Sequence, residues 1–223
     1  HGLFKLKNRP QWFTVSNRSR SYVENILSKI SGEHFKNYIV KKIKSKSTGI
    51  DLYYGGESEF FNYDKVVIAT HADEALSIID NPTNEEKKIL SKFSYRENIA
   101  FIHTDEIAMP ENKKTWSSWN SSLKKNEISK SSITYWLNSL QNLKCAKNIF
   151  LTLNPYFEID QSKILKKVKF THPYFDQSAL DHQSELKNLQ NKRNILFCGS
   201  YFGYGFHEDG IKSSIEMLKN LND

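Results

Sequence analysis

The sequence has few cysteines and no long apolar run. Only two of its 223 residues are cysteine, Cys145 and Cys198, and their separation matches neither a metal site nor a redox motif. Cys198 stands in an apolar segment, where a small buried side chain is expected rather than a nucleophile. No apolar stretch approaches the roughly 20 residues that a membrane-spanning helix needs. We therefore expect a reducing, cytoplasmic setting.

The sequence also lacks the short motifs of common enzyme classes. It contains no G-x-S-x-G, no P-loop and no cysteine–histidine pattern, which argues against nucleophilic and phosphoryl-transfer chemistry. The seven histidines include no pair at a metal-ligand spacing, so we expect no metal. The chain has no signal-peptide pattern and starts at His1, from which we expect a fragment or a processed product of a longer protein.

Lysine, by contrast, is abundant. The formal net charge of +7 would suit a nucleic-acid or an anionic membrane partner. The lysines are scattered, however, and asparagine, serine and isoleucine are also frequent, which indicates a general compositional bias. We therefore expect no nucleic-acid binding and leave open a peripheral contact with an anionic lipid surface. The 38% hydrophobic and 13% aromatic content indicates a folded globular protein.

Periodicity predicts a chain of mixed α and β structure. Apolar residues at helical spacing predict a helix within 14–30. Residues 35–70 are predicted to form a small set of antiparallel strands that ends in a buried strand at 66–69. Thr83 and Glu86 form a capping box that opens another helix. The remaining predicted elements are strands at 99–103, 115–119, 133–137, 149–153 and 164–170, an exposed polar loop at 120–132, and a helix at 179–189. This order predicts an α/β domain interrupted by an antiparallel sheet.

The last thirty residues carry the strongest functional signal. An apolar strand at 195–198 is followed by a turn containing Gly199, Gly203 and Gly205, and then by a helix. The apolar residues of that helix share one face: Ile211, Ile215 and Leu218. A strand, a glycine-rich turn and a helix N-terminus can present free N–H groups and the positive end of a helix dipole to a ligand. An ordinary strand-to-helix connection is the alternative.

Aromatic residues are concentrated in the middle of the chain. Trp116, Trp119, Tyr135 and Trp136 fall in or beside predicted strands. Two interpretations stay open at this point. The four side chains could pack a sheet or a core, or they could form a wall over a planar or greasy ligand.

Several short segments, taken together and in order, form a family signature. They are 9–12 (RPQW), 64–73 (DKVVIATHAD), 116–120 (WSSWN), 134–136 (TYW), 153–155 (LNP) and 197–210. With these segments the chain resembles the FAD-dependent amine oxidoreductase superfamily, and within it a bacterial branch of predicted NAD/FAD-binding proteins. That branch also resembles the oxidase-like part of plant cyclopropane fatty acid synthases. The resemblance covers nearly the whole chain, but only the C-terminal portion of a complete family member.

The resemblance implies a fold and a division of the chain. The fold is α/β, a partial FAD-binding Rossmann-like domain with an inserted antiparallel-sheet substrate domain. Residues 1–72 and 176–223 would belong to the FAD-binding domain, and residues 73–175 would form the substrate domain. The implied cofactor is FAD.

The resemblance also implies site residues. The cofactor-binding positions that it gives are Val40, Gly199, Ser200, Gly203, Gly205, Asp209, Gly210 and Ile211. Among them, the Gly210 and Ile211 N–H groups would face the pyrimidine edge of the flavin. His207 falls near the position of an aromatic residue beside the flavin and is the one candidate catalytic residue. Trp116, Trp119, Tyr135 and Trp136 would form the substrate wall.

Two departures from the family pattern matter. Ser200 replaces a glutamate, and the chain has no G-x-G-x-x-G strand–turn–helix, an element that in the family precedes the segments matched here. The expectation is a fragment of an FAD-dependent oxidoreductase that takes a hydride from an organic, lipid or fatty-acyl substrate. A cyclopropane-fatty-acid-synthase-like enzyme is the expected partner. The alternative is a non-catalytic flavin-fold scaffold that binds a partner enzyme or a lipid surface.

Overall fold

The computed structural model describes residues 7, 11, 13–55, 59–125 and 127–221. Of the 9–12 motif, only Gln11 lies within the described residues. The helices are α1 (Arg18–Leu27), α2 (Ala72–Ile78), α3 (Asn84–Leu90), α4 (Leu137–Leu140), α5 (Gln177–His182) and α6 (His207–Leu218). The strands are β1 (Val40–Lys46), β2 (Gly49–Tyr54), β3 (Phe60–Tyr63), β4 (Val66–Ile68), β5 (Ser94–His103), β6 (Trp119–Lys124), β7 (Glu127–Trp136), β8 (Phe150–Leu153), β9 (Ile164–Tyr174) and β10 (Ile195–Phe197).

The chain divides into two compact units. One contains the described part of residues 1–34 together with Asn98–Phe170, and the other contains Phe35–Glu97 with the described part of residues 171–223. The chain passes between the units three times, between His34 and Phe35, within β5 and within β9. The cofactor and substrate roles expected for residues 1–72, 73–175 and 176–223 stay predictions.

The second unit is built around a two-stranded parallel sheet. Strands β4 and β10 pair in register from Val66 opposite Ile195 to Ile68 opposite Phe197. Because successive strand residues point to opposite faces, Ile195 and Phe197 join the main core while Leu196 points to the other side. The main core also takes residues from the antiparallel sheet β1-β2-β3, from α2 and α3, and from the segment after α5.

Helix α6 covers the side of the sheet opposite the main core. Its buried residues are Ser213 and Met217, and Met217 packs against Leu196 and Cys198. The apolar face identified in the sequence is exposed to solvent instead: Ile211, Ile215 and Leu218. Periodicity predicted the helix and its apolar stripe, but the contacts of Ser213 and Met217 beside β10 decide which side is buried.

The first unit is dominated by a five-stranded sheet in the order β6-β7-β8-β5-β9. A buried polar row crosses its centre, where the Thr152 hydroxyl lies 2.7 Å from His103 Nε2 and 2.9 Å from the Thr134 hydroxyl. The backbone N–H of Asp105 donates to His103 Nδ1, so the proton of the neutral imidazole sits on Nε2. Burial lowers the pKa of His103.

The sequence-based prediction for residues 115–132 was wrong. Residues 120–132 were expected to be an exposed loop, and 115–119 a strand. The structure has a 3₁₀ turn at Lys113–Thr115 and a hairpin, in which β6 pairs with β7 from Trp119 opposite Tyr135 to Lys124 opposite Glu127. Serine and asparagine have low strand propensity, but pairing with a neighbouring strand outweighs it.

The predicted fold class is confirmed. The chain mixes helices with antiparallel sheets and one parallel strand pair, as expected for an α/β domain that carries an antiparallel insertion. Among the helices of the described residues, none has both the length and the apolar character required to cross a bilayer.

Candidate functional site

The carboxyl ends of β4 and β10 lie at the same edge of the parallel sheet. Thr70 and His71 follow β4, and Gly199 and Ser200 follow β10. The two segments are close, because a Cβ atom at Gly199 would lie 3.7 Å from the Thr70 carbonyl oxygen. In open α/β sheets, ligands bind outside this edge of the strands. This edge is therefore the candidate site.

The turn between β10 and α6, residues 199–206, is held together by Asp209. The Asp209 carboxylate accepts hydrogen bonds from the N–H groups of Tyr204 and Phe206, both at 3.0 Å. It packs so tightly on Gly203 that a Cβ atom there would lie 2.5 Å from its Cγ. Gly203 and Asp209 were both predicted to contact the cofactor. In this structure they contact each other.

Gly199 and Gly205 also face side chains of the protein itself. A Cβ atom at Gly199 would lie 2.6 Å from the Tyr201 ring, and one at Gly205 would lie 3.2 Å from the Phe175 ring. Gly205 has φ of +87°, a conformation that favours glycine. Internal packing therefore explains these two glycines without a bound ligand.

The start of α6 is open at Gly210. A Cβ atom there would meet only the Ser200 nitrogen, at 3.9 Å. The Gly210 N–H group itself donates to the Phe206 carbonyl, so it is not a free donor. Helix geometry instead leaves the N–H groups of His207 and Glu208 without an intrahelical acceptor. The N–H groups without an intrahelical acceptor therefore lie about one turn before Gly210 and Ile211, whose role toward a cofactor stays a prediction.

A hydrogen-bonded link ties this helix start to the carboxyl edge of β10. Ser213 donates to the Gly210 carbonyl at 2.7 Å and accepts from the Gly199 N–H group at 2.9 Å. Ser200 and Gly210 are also neighbours, as the distance above shows. The Gly205 N–H group donates to the Ser200 carbonyl at 3.1 Å. The structure therefore brings together six of the predicted positions: Gly199, Ser200, Gly203, Gly205, Asp209 and Gly210.

Val40 and Ile211 stand apart from this group. Val40 begins β1 opposite Tyr54 and packs partly against the main core, beside a cavity of about 270 Å³ lined by Tyr38, Tyr54 and Gly55. Ile211 points to solvent from α6, and His207 is likewise exposed at the first helical position.

His71 is a candidate that the sequence analysis did not single out. Its imidazole stacks on the Tyr95 ring at 4.1 Å, with 14° between the planes, and its Nδ1 lies 3.5 Å from the Thr171 hydroxyl. The Tyr95 hydroxyl accepts from the Ala72 N–H group at 2.9 Å, and burial raises the pKa of Tyr95 to about 12. The available signal was position, since His71 comes almost directly after the apolar strand β4.

Tyr201 is a second residue that sequence reasoning missed. Its side chain is buried beneath the turn, and its hydroxyl has no hydrogen-bond partner within the described chain. Burial raises the pKa of this phenol, so it stays neutral. Gln183 holds the same stretch from outside by donating to the carbonyl groups of Tyr201 and Gly203.

The four aromatic residues of the predicted substrate wall form two pairs. Trp116 and Trp136 meet edge to face at 5.3 Å, while Trp119 and Tyr135 lie 5.4 Å apart on paired strands. Tyr135 and Trp136 are consecutive in β7 and so point to opposite faces of the sheet. One face therefore cannot carry all four. Their role toward a substrate stays a prediction.

Comparison with known proteins gives evidence at the level of the fold. No family model matches the sequence, and no curated protein matches it. Among solved structures, the chain is similar to a fatty acid isomerase from P. acnes that produces CLA, with 11% identity, a TM-score of 0.63, and coverage of 90% of this chain and 51% of that one.

Two amine oxidases are also similar. Putrescine oxidase bound to putrescine shares 9% identity at a TM-score of 0.61, covering 93% of this chain and 53% of that one. Cyclohexylamine oxidase from Brevibacterium oxydans shares 10% identity at a TM-score of 0.52, covering 83% and 49%. The chain thus spans about half the length of the structures that it matches, and its fold resembles that of FAD-dependent oxidoreductases.

The residues of the candidate site fit FAD in part. The open surface at Gly210 and the dipole of the 12-residue helix α6 suit an anionic ligand edge, as do the N–H groups of His207 and Glu208, which have no intrahelical acceptor. The space beside Gly199, Gly203 and Gly205 is filled by protein side chains. The part of the chain whose surface is open to an anionic ligand is therefore the start of α6.

Proposed function

We propose that this chain is part of an FAD-dependent oxidoreductase and that FAD lies at the carboxyl edge of β4 and β10. One observation carries the proposal. A glycine-containing turn and the open N-terminus of α6 meet the ends of two parallel strands, in a fold similar to that of FAD-dependent oxidoreductases.

The free edge of β4 supports the view that further polypeptide completes the sheet. Within the described residues no strand pairs with that edge, and Val67 on β4 is 42% exposed although its neighbour Leu196 is buried. The outer edge of β10 is closed, because the Gln190 amide bonds both the N–H and the carbonyl group of Phe197. Only β4 can therefore accept another strand. A dinucleotide-binding strand and turn, which the sequence lacks, belong beside it.

The chemistry divides between the cofactor and the chain. FAD, when bound, supplies a hydride acceptor for a C–H bond of the substrate. The N–H groups of His207 and Glu208 and the α6 dipole stabilise negative charge at the ligand edge that they face. The His71 and His207 imidazoles, of which one follows β4 and the other begins α6, are the side chains that we propose to orient a substrate near that edge. The substrate that we propose is organic and lipid-like or fatty-acyl, which the likeness to a fatty acid isomerase supports.

A non-catalytic scaffold is the second candidate function. It is favoured by the side chains that fill the space beside Gly199, Gly203 and Gly205, since a turn packed on itself needs no cofactor. In that case the chain keeps the flavin-type fold without the cofactor and binds a partner enzyme. The partner that we propose is a cyclopropane-fatty-acid-synthase-like protein.

The visible absorption spectrum of the protein purified from its complete reading frame distinguishes the two functions. We expect a yellow protein with the two absorption bands of bound flavin, or a colourless one that acquires them when FAD is added. A folded protein that takes up no FAD would establish the scaffold and refute the oxidoreductase.

A matched pair of variants tests the site itself. Gly210→Val places a branched side chain on the open helix start, and we expect it to abolish FAD binding with little loss of stability. Lys212→Val is the control, because it puts the same residue at an exposed position two residues further along α6. Equal FAD affinity in the two variants would place the cofactor elsewhere.

A further inference from the structure

The outward face of the sheet β1-β2-β3 combines lysines with aromatic side chains. On the other face of this sheet, Ile43 and Ile50 are buried in the main core. Strand alternation and the observed register place a distinct set on the outward side. We call it the basic aromatic face: Lys42, Lys44, Lys46, Asp51, Tyr53, Phe60 and Asn62.

The single acidic group of this face is neutralised within the protein. The Asp51 side chain is almost fully buried, bonded to Lys46 and held by the Asn62 amide at 2.9 Å. The hydrogen bond from Lys46 lowers the pKa of Asp51, so the carboxylate stays charged and paired. Lys42 and Lys44 form no ion pair within the described residues, and the seven residues of the face carry a net charge of +2 from three lysines and one aspartate.

The aromatic rings of the face pack against neighbouring side chains. Lys42 Nζ lies 4.4 Å from the centroid of the Tyr53 ring, and Tyr53 and Phe60 tilt against each other at 5.2 Å. Single-stranded nucleic acids bind on open ring faces on which bases stack, whereas the Tyr53 ring is contacted by Lys42 and Phe60. Phe60, which is 47% exposed, presents apolar surface between the ammonium groups of Lys42 and Lys46.

We propose that the basic aromatic face docks on an anionic lipid bilayer. Lysines attract the acidic headgroups, and an exposed aromatic side chain between them can enter the interfacial layer. Lysines on an edge strand such as β1 also oppose association with other strands, but that role does not need the neighbouring aromatic residues. The proposal is independent of the proposed oxidoreductase function.

The expected binding is weak, reversible and sensitive to salt. Each lysine near an anionic surface contributes a factor of about five to the partition coefficient, and the effect fades as the Debye length shrinks. Reversing the charge of Lys44 changes the face by two units and should lower partitioning roughly 20- to 30-fold. Lys44→Gln, which changes one unit, should lower it about fivefold.

Vesicle co-sedimentation tests the proposal. We expect the protein to pellet with phosphatidylcholine vesicles that contain phosphatidylserine, at low salt, and not with phosphatidylcholine alone or at high salt. Lys87→Glu is the control for overall charge, since Lys87 is an exposed lysine of α3 in the same unit. Circular dichroism melting of each variant confirms that it is folded.

Three results would overturn the proposal. The first is a wild-type protein that does not distinguish the two kinds of vesicle at low salt. The second is an equal loss of binding in Lys44→Glu and Lys87→Glu, which would mean that net charge and not this face binds. The third is salt-sensitive binding of fluorescent oligo(dT) by the wild type, lost in Lys44→Gln, without vesicle binding.

Discussion

Replacing Gly203 by alanine should destabilise the protein even in the absence of any cofactor. The new Cβ atom would lie 2.5 Å from Cγ of Asp209, so the Asp209 side chain must move away. It would then lose its hydrogen bonds to the N–H groups of Tyr204 and Phe206. A hydrogen bond to a charged group contributes about 1.5–3 kcal/mol to stability. Because the two bonds to the Asp209 carboxylate lie near the surface, we assign about 1 kcal/mol to each. We therefore expect a loss of about 2 kcal/mol.

Urea unfolding followed by far-ultraviolet circular dichroism measures this loss. With a slope of about 2 kcal/mol per molar urea, the midpoint should fall by about 1 M. Hydrogen exchange at the amides of Tyr204 and Phe206 should accelerate in the same variant. Gly210→Ala is the control, since the nearest atom to its new Cβ is 3.9 Å away and alanine is favoured over glycine within a helix. The reasoning is refuted if Gly203→Ala is as stable as the wild type or if Gly210→Ala is the more destabilised variant.

Three further predictions concern the scaffold of the two units. Arg193→Met should cost about 3 kcal/mol in urea unfolding, because Glu86 is buried and receives two hydrogen bonds from Arg193; an unchanged midpoint would contradict this. Gln190→Ala should expose the edge of β10 at Phe197 and promote self-association, which sedimentation velocity measures. Gln190→Glu keeps an acceptor for the Phe197 N–H group and should associate less than Gln190→Ala. Burial lowers the pKa of His103, so as the pH falls below about 6.5 the unfolded state binds a proton before the folded state does, and the protein becomes less stable. The melting temperature of His103→Gln should therefore depend less on pH over that range than that of the wild type.

Much of the candidate site could be predicted from the sequence, because the strand, the turn and the helix that build it depend on residues close to one another in the chain. The strand predicted at 66–69 is observed as Val66–Ile68, and the glycine-containing turn and terminal helix occur where periodicity and glycine spacing placed them. The contacts that individual residues of the turn make could not be predicted from the sequence. Gly203 and Asp209 were expected to bind the cofactor, which stays a prediction, and their contact with each other across six residues was not apparent from the sequence.

The hairpin β6–β7 shows where local reasoning fails. Ser121 and Ser122 have little preference for strands, and the sequence around them reads as a loop. Pairing with Ile133 and Ser132 fixes them as strand residues, and Ser132 in turn donates to the Leu153 carbonyl on the next strand. A partner distant in sequence supplied the stabilisation, so composition alone could not reveal it.

Outside residues 115–132, the sequence by itself determined the kinds of the main elements and their order, because apolar periodicity, capping residues and glycine spacing act within a few residues of one another. The tertiary structure alone decided which faces are buried. On α6 it hides Ser213 and Met217 and exposes Ile211 and Ile215, since only a small side chain allows the helix to approach β10 and bond Gly199. It also decided which sheet edge stays free, because the Gln190 amide reaches Phe197 only after the chain has folded back on itself.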